Sequence, residues 1–351
     1  MNLEGWKGRR VFLTGHTGFK GGWLALWLQN LGADVYGFAQ PAEERSFFNA
    51  ANVASGLAGH DEADLRDADD LSAAIHRAQP EIIFHLAAQS LVRRSYASPV
   101  ETYEVNVVGT LNLLQAVRTI SSVKAVVVVT TDKCYLNREW PWGYREHEAL
   151  GGHDPYSSSK ACAEILTASW RDSFLKSAGI AVATARAGNV IGGGDWAEDR
   201  LVPDFLRALE ARTPLIVRSP KSVRPWQHVL EPLAGYLTLG EALLDRGQAV
   251  AGAWNFGPYD EDARPVEWIL DRLGKAFPES RLQLETAPQP HEAAYLKLDI
   301  SKARHHLGWE PRWRLGMALE MIAAWHGAWR KGGDMRAISL DQIARYCGAQ
   351  G

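Results

Sequence analysis

The sequence has few cysteines, no charge of one dominant sign and no long apolar run. Its 351 residues include 3 cysteines, Cys134, Cys162 and Cys347, far apart and without CxxC spacing. That leaves no basis for a disulfide framework or a metal centre, and it fits a reducing compartment. Lys and Arg total 38 against 41 Asp and Glu, a formal charge of -3. No electrostatic footprint for nucleic acid or an anionic membrane results, so any bound anion must be caught locally. The first ten residues lack the apolar core of a signal peptide, and the longest apolar run, Ala125–Val129, is far too short to span a bilayer. A soluble, cytoplasmic protein is expected.

What is present is a β-α alternation. Residues 10–14, 34–38, 82–86 and 125–129 read as buried parallel strands, continuous in apolar residues because both faces are covered. Residues 23–31, 69–78, 103–118 and 158–176 read as helices between them, and 180–185 as a further strand. The predicted fold class is α/β, a doubly wound parallel sheet with a smaller C-terminal lobe. Residues 1–186 would form the dinucleotide-binding domain, joined by a returning strand near 253–257, and 187–335 mainly the smaller lobe. Gly192-Gly193-Gly194 and scattered Pro and Trp mark that lobe as loop-rich, with helices over 265–277 and 301–307. Trp309, Trp313, Trp325 and Trp329 read as core or interface, and the tail beyond about residue 331 carries no pattern.

Gly15-His16-Thr17-Gly18-Phe19-Lys20-Gly21 follows the first strand and opens a helix. Glycines there allow a tight turn and close backbone approach, while free helix N–H groups face a pyrophosphate. Such a loop can be an ordinary turn, but its place after the first strand of a βαβ series points to a dinucleotide. Further along, Tyr156 and Lys160 stand four apart on one helix face. The ammonium would lower the phenol from about 10 toward neutrality, making it a proton acceptor. This spacing is common by chance; its position after the fifth strand, beside Thr131 at that strand's end, gives it weight. Asp132-Lys133 follows, a pair that on an ordinary loop would be a surface ion pair.

The GxxGxxG spacing resembles the extended short-chain dehydrogenase/reductase superfamily. Thr131-Asp132-Lys133-Cys134-Tyr135, Tyr156-Ser157-Ser158-Ser159-Lys160, the segment from Arg186 to Trp196 and Arg224-Pro225-Trp226-Gln227-His228 extend the likeness over about residues 7–325. Epimerases of that superfamily usually carry Ser-Ser-Ala/Ser at the strand end, and nucleotide-sugar 4,6-dehydratases carry Thr-Asp-Glu. Thr131-Asp132-Lys133 resembles the branch that acts on CDP-glucose. The resemblance implies NAD as cofactor and a homodimer pairing helices 103–118 and 158–176 with a twin. Asp64 and Leu65 would hold the adenine, and Leu86, Ala87 and Ala88 would let the cofactor cross the sheet edge. It also implies that Tyr156 takes the C4 hydroxyl proton, Thr131 orients the sugar, Asp132 is the C6 acid and Lys133 the C5 base. One family feature is missing. Phe38-Ala39-Gln40 closes the second strand without a ribose-binding acid, and Lys20 could meet a phosphate, so NAD and NADP both stay open.

A nucleoside diphosphate needs cationic anchors. Arg224 matches the family's diphosphate-binding arginine, whose fork suits phosphate, and Asn189 would bond the sugar or its phosphate. Gln89, Ser90, Arg200 and Arg218 are further substrate-binding candidates. Arg200, Arg218 and Trp196 read equally well as solvated or packing residues, and His291-Glu292 stands where relatives often carry a base. Other readings remain: a 4-epimerase, a dehydratase for another nucleotide, an NADP-dependent carbonyl reductase, or a regulatory protein that binds the cofactor without chemistry. Thr131-Asp132-Lys133 argues against the epimerase, and Arg224 with Asn189 against the reductase.

Overall fold

A computed structural model describes residues 3–285 and 295–348. Seven strands form one parallel sheet: β1 (Arg10–Thr14), β2 (Asp34–Ala39), β3 (Gly59–Glu62), β4 (Ile82–His85), β5 (Ala125–Val129), β6 (Ala181–Arg186) and β7 (Gly252–Asn255). Their spatial order is β7-β6-β5-β4-β1-β2-β3, so the chain winds outward in both directions from β1 and β4. That reversal leaves a crevice at the carboxyl ends of β1 and β4, where ligands bind in such sheets.

Alternate strand residues point to opposite faces. Val11, Leu13, Ile82, Phe84 and Val127 pack under α1 (Phe19–Asn30), while Phe12, Ile83, Val126 and Val128 pack against α2 (Ala68–Ala78) and α3 (Gly109–Val117). This explains why the strands read as unbroken apolar runs; all five residues of β5 are buried. A second core joins α5 (Leu201–Ala211), α7 (Val266–Ala276) and α8 (Leu315–Trp329), with Phe205, Leu270 and Ile322 at its centre.

Several boundaries differ from the sequence reading. The helix expected over 103–118 is interrupted by a π turn at Glu104–Val108, and α4 (Pro155–Trp170) ends in another at Arg171–Leu175. α4 begins earlier than periodicity suggested because Asp154 caps it, accepting from Ser157 N at 2.9 Å, and Pro155 fits the first turn. β3 ends at Glu62, so Asp64 and Leu65 follow the strand rather than close it. The patternless tail forms α9 (Met335–Gly348). Tyr346 docks it, donating at 2.7 Å to Glu231, a buried residue of α6 (Leu230–Arg246). That contact spans 115 positions, beyond any local pattern. Trp309, Trp313 and Trp325 are core residues as read. No helix among the described residues is long and apolar enough to cross a membrane.

Candidate active site

The glycine loop crosses the crevice between β1 and β4. Gly15 has φ +75° and lies so close to β4 that a Cβ would stand 2.7 Å from Ala87 N. A Cβ on Gly21 would overlap the Gly15 carbonyl oxygen, so both positions require glycine. Gly18 is the N-cap of α1 and offers no side chain to its first turn, which leaves those N–H groups facing the crevice. Leu86, Ala87 and Ala88 line the opposite wall, half-buried. The dimensions and donors suit a dinucleotide pyrophosphate.

The loop's side chains divide. Thr17 donates to Gln40 O at 3.0 Å and Phe19 packs near Gly192. His16 turns inward, its Nε2 2.7 Å from His60 Nδ1, and burial beside His60 lowers its pKa to about 3. Its contribution to a ligand is therefore through backbone. Lys20 reaches the catalytic end instead of the outer rim. Burial and the cations Arg200 and Lys160 lower it to about 8, against the pull of Asp132 and Asp195. At the adenosine end, Asp64 accepts from Gln40 at 3.0 Å and from Arg66 at 2.6 Å, which holds its carboxyl down near 2.

The second half of the site hangs from β5. Its end continues into a 3-10 turn, Asp132–Cys134, capped by the Thr131 hydroxyl. Thr131 Oγ1 donates to Asp132 Oδ1 at 3.0 Å and hydrogen-bonds the Tyr156 hydroxyl. Thr131, Asp132 and Tyr156 thus form one continuous chain of polar atoms. Lys133 is half-buried beside it. Asp132 is 1% exposed, and its Oδ2 has no hydrogen-bond partner. Burial raises its pKa, outweighing Lys133, Thr131, Lys20 and Arg224, which shifts the group toward the protonated, donating form relative to a free carboxyl. Gly188, on the loop after β6, gives it room: a Cβ there would stand inside the Asp132 carboxyl. Gly188→Ala is expected to displace the carboxyl and lower kcat roughly 10- to 100-fold, with destabilisation of about 1–3 kcal/mol; steady-state kinetics and a melting curve check it.

Tyr156 departs from the sequence argument. Burial raises its pKa to about 12, with Thr131 and Arg200 opposing. The Lys160 ammonium instead donates to Val129 O at 3.2 Å, and burial lowers it to about 8 while Glu164 supports its charge. Desolvation of the phenolate outweighs the pull of Thr131 and Arg200.

The substrate side is more ordered than the sequence indicated. Arg200 donates to buried Asp195 at 2.9 Å and to Ser90 Oγ at 3.0 Å, and it acts electrostatically on Tyr156. It is a cleft residue. Arg218 lies 3.6 Å from Asp199, which also pairs with Arg93 at 3.2 Å. Arg93, Asp195 and Asp199 were not singled out from sequence; only the fold brings the 92–97 helix beside the loop before α5. Arg224 acts on Asp132, and Asn189, at φ +44°, sits half-buried on the loop below. Gln89 accepts from Leu91 N at 2.6 Å and donates to Thr102 at 3.0 Å, which ties its loop to the 99–103 helix. His291-Glu292 lies outside the described residues.

The fold and site define an enzyme of the extended short-chain dehydrogenase type, with a dinucleotide crevice ending at a Thr-Asp-Lys turn. Residues 12–246 match the family model described as GDP-mannose 4,6 dehydratase, and the chain belongs to that family. It is 50% identical over 98% of both chains to the CDP-glucose 4,6-dehydratase of Salmonella typhimurium. It is 26% identical to the dTDP-glucose 4,6-dehydratase of Xanthomonas campestris pv. campestris, over 90% of this chain and 92% of the relative. In fold it resembles UDP-glucose 4-epimerase from Brucella ovis in complex with NAD, at TM-score 0.78, 21% identity and coverage of 91% and 98%.

Proposed function

We propose that this protein is a CDP-glucose 4,6-dehydratase, a hydro-lyase that converts CDP-glucose to its 4-keto-6-deoxy derivative. The observation that carries the reading is the Thr131-Asp132-Lys133 turn with a buried Asp132 whose pKa burial raises, alongside 50% identity to a CDP-glucose 4,6-dehydratase over nearly the whole chain.

Bound NAD would supply the hydride acceptor for C4 and the donor for C6, leaving the cycle redox-neutral. Gly15, Gly18, Gly21, Ala87 and Ala88 would hold it. Tyr156 accepts the C4 hydroxyl proton, with Thr131 orienting that hydroxyl and Lys160 and Arg200 supplying positive charge. The 4-ketone acidifies the C5 hydrogen, which Lys133 removes. Asp132 delivers its proton to the C6 hydroxyl, which departs as water. Arg224, Arg218, Arg200 and Asn189 bind the diphosphate and sugar. NAD is preferred to NADP because the cations near the tip of β2 are already committed: Arg45 to Glu210 and Arg66 to Asp64.

Incubation with NAD and CDP-, dTDP-, UDP- or GDP-glucose in separate reactions tests the proposal, by loss of one water in the product mass. Water loss only with a nucleotide other than CDP would reassign the substrate, and loss with none would end the reading. Lys133→Ala is expected to abolish solvent deuterium exchange at C5 and lower kcat roughly 10²–10⁴-fold; retained exchange would remove Lys133 as the base. We also propose a homodimer. Val100, Val108, Ile165 and Phe174 are 69%, 44%, 59% and 37% exposed on the segment leading into α3 and on α4 with its terminal turn, an apolar face suited to a twin. A monomer mass by light scattering would contradict it.

A further inference from the structure

We propose that Glu164, a carboxylate outside the substrate cleft, is a positioning residue that keeps Lys160 charged and so sets the pH range in which Tyr156 works. The proposal rests on the roles given above to Tyr156 and Lys160.

Glu164 lies one helical turn after Lys160 on the same face of α4, and it is 4% exposed. Four donors converge on it: Thr130 Oγ1, Thr184 Oγ1 at 2.7 Å, and Arg186 through Nε at 2.9 Å and Nη2 at 2.7 Å. Arg186 Nη1 continues to the Tyr135 hydroxyl at 2.7 Å, and Tyr135 donates to Asn255 of β7 at 2.8 Å. Thr130 precedes the catalytic turn and Tyr135 follows it. One carboxylate therefore braces both ends of the segment carrying Thr131, Asp132 and Lys133.

The electrostatic role follows from what surrounds Lys160. It faces Lys20 from α1, His85 from β4, Cys134 from the turn after β5, and Glu164 from its own helix. Lys20 opposes its charge, and burial keeps His85 neutral. Of the two groups that favour the ammonium, Cys134 is held as a neutral thiol by burial, which leaves Glu164. Stability alone does not explain the arrangement. A buried ion pair costs desolvation that apolar residues of similar volume avoid. Here the charge has a use: without it Lys160 loses its proton more readily, and phenolate at Tyr156 loses a counter-charge.

The test is Glu164→Gln, read by the Lys160 ammonium titration in NMR of ¹⁵N-lysine-labelled protein and by the pH profile of kcat/KM with CDP-glucose. Removing the anion should lower the Lys160 midpoint by about one pH unit. Activity that needs the ammonium then falls by up to about ten-fold on the alkaline side of that midpoint and less at neutral pH and below. Glu164→Asp, which keeps the charge, should return the Lys160 midpoint toward wild type. If Glu164→Gln does not fold, Glu164→Leu with Arg186→Met replaces the pair by apolar volume and should show a smaller displacement of the same sign. An unmoved Lys160 midpoint, or a uniform loss across pH, would reduce Glu164 to a structural brace. Wild-type protein inactive on every nucleotide-glucose would instead remove the functional reading, while the NMR titration would still decide the link between Glu164 and Lys160.

Discussion

Asp132→Asn is expected to lower formation of the 4-keto-6-deoxy product by about 10²–10⁴-fold while leaving C4 oxidation largely intact. Asn matches Asp in shape, so the space beside Gly188 and the bond to Thr131 persist. What is lost is the proton, since an amide cannot protonate a departing hydroxide. Reduced cofactor should therefore accumulate in single-turnover absorbance, a signal absent from the wild type if elimination is fast. A variant that turns over normally would show that another group delivers the proton. A second readout separates chemistry from folding. Asp132 Oδ2 is buried without a partner, an arrangement that costs about 1–3 kcal/mol. Asp132→Ala is thus expected to leave the melting temperature unchanged or raised, the signature of a residue kept for function at the expense of stability. A marked fall in melting temperature would mean that Asp132 contributes to the fold instead.

Tyr156→Phe is expected to reduce kcat by a similar 10²–10⁴-fold, but without build-up of reduced cofactor, because it blocks the first proton transfer and nothing follows. The ring still fills its site, and the lost bond to Thr131 costs only about 0.5–1.5 kcal/mol. The wild-type pH dependence has a definite sign. Burial holds the phenol near 12, and only phenolate accepts the C4 proton, so kcat/KM should rise with pH on the alkaline side of neutrality. A rate falling throughout that range would contradict the assignment of Tyr156 as base. Comparing the two variants places each residue on its own half of the reaction.

Much of the fold was legible before any coordinates. β1 and β5 coincide with the segments read from sequence, because strands buried on both faces must be apolar throughout and are bounded by turn residues. α9 was illegible because its anchor, Tyr346, bonds to Glu231 far back in the chain. The π turns at 104–108 and 171–175 were equally hidden, since a single such turn is too short to carry a residue-type signature. Within the site, Gly15, Gly18 and Gly21 were recognisable from spacing, and two carry a local reason: Gly15 takes φ +75°, and a Cβ on Gly21 would overlap the Gly15 carbonyl oxygen.

By itself, then, the sequence determined which groups could act: the glycine loop, the Thr131-Asp132-Lys133 turn, and a Tyr156–Lys160 pair on one helix face. Residue type and local spacing suffice for that. Tertiary structure alone decided the protonation each group favours and which charges share a site. Asp132 is shifted toward its protonated form because Gly188 and the β5 turn bury it, and Tyr156 resists ionisation because desolvation exceeds the pull of Thr131 and Arg200. Lys20 joins the catalytic groups and Glu164 stands behind Lys160, placements that depend on strands and helices distant in sequence. Burial and charge proximity are properties of three-dimensional neighbourhoods, and no one-dimensional pattern encodes them.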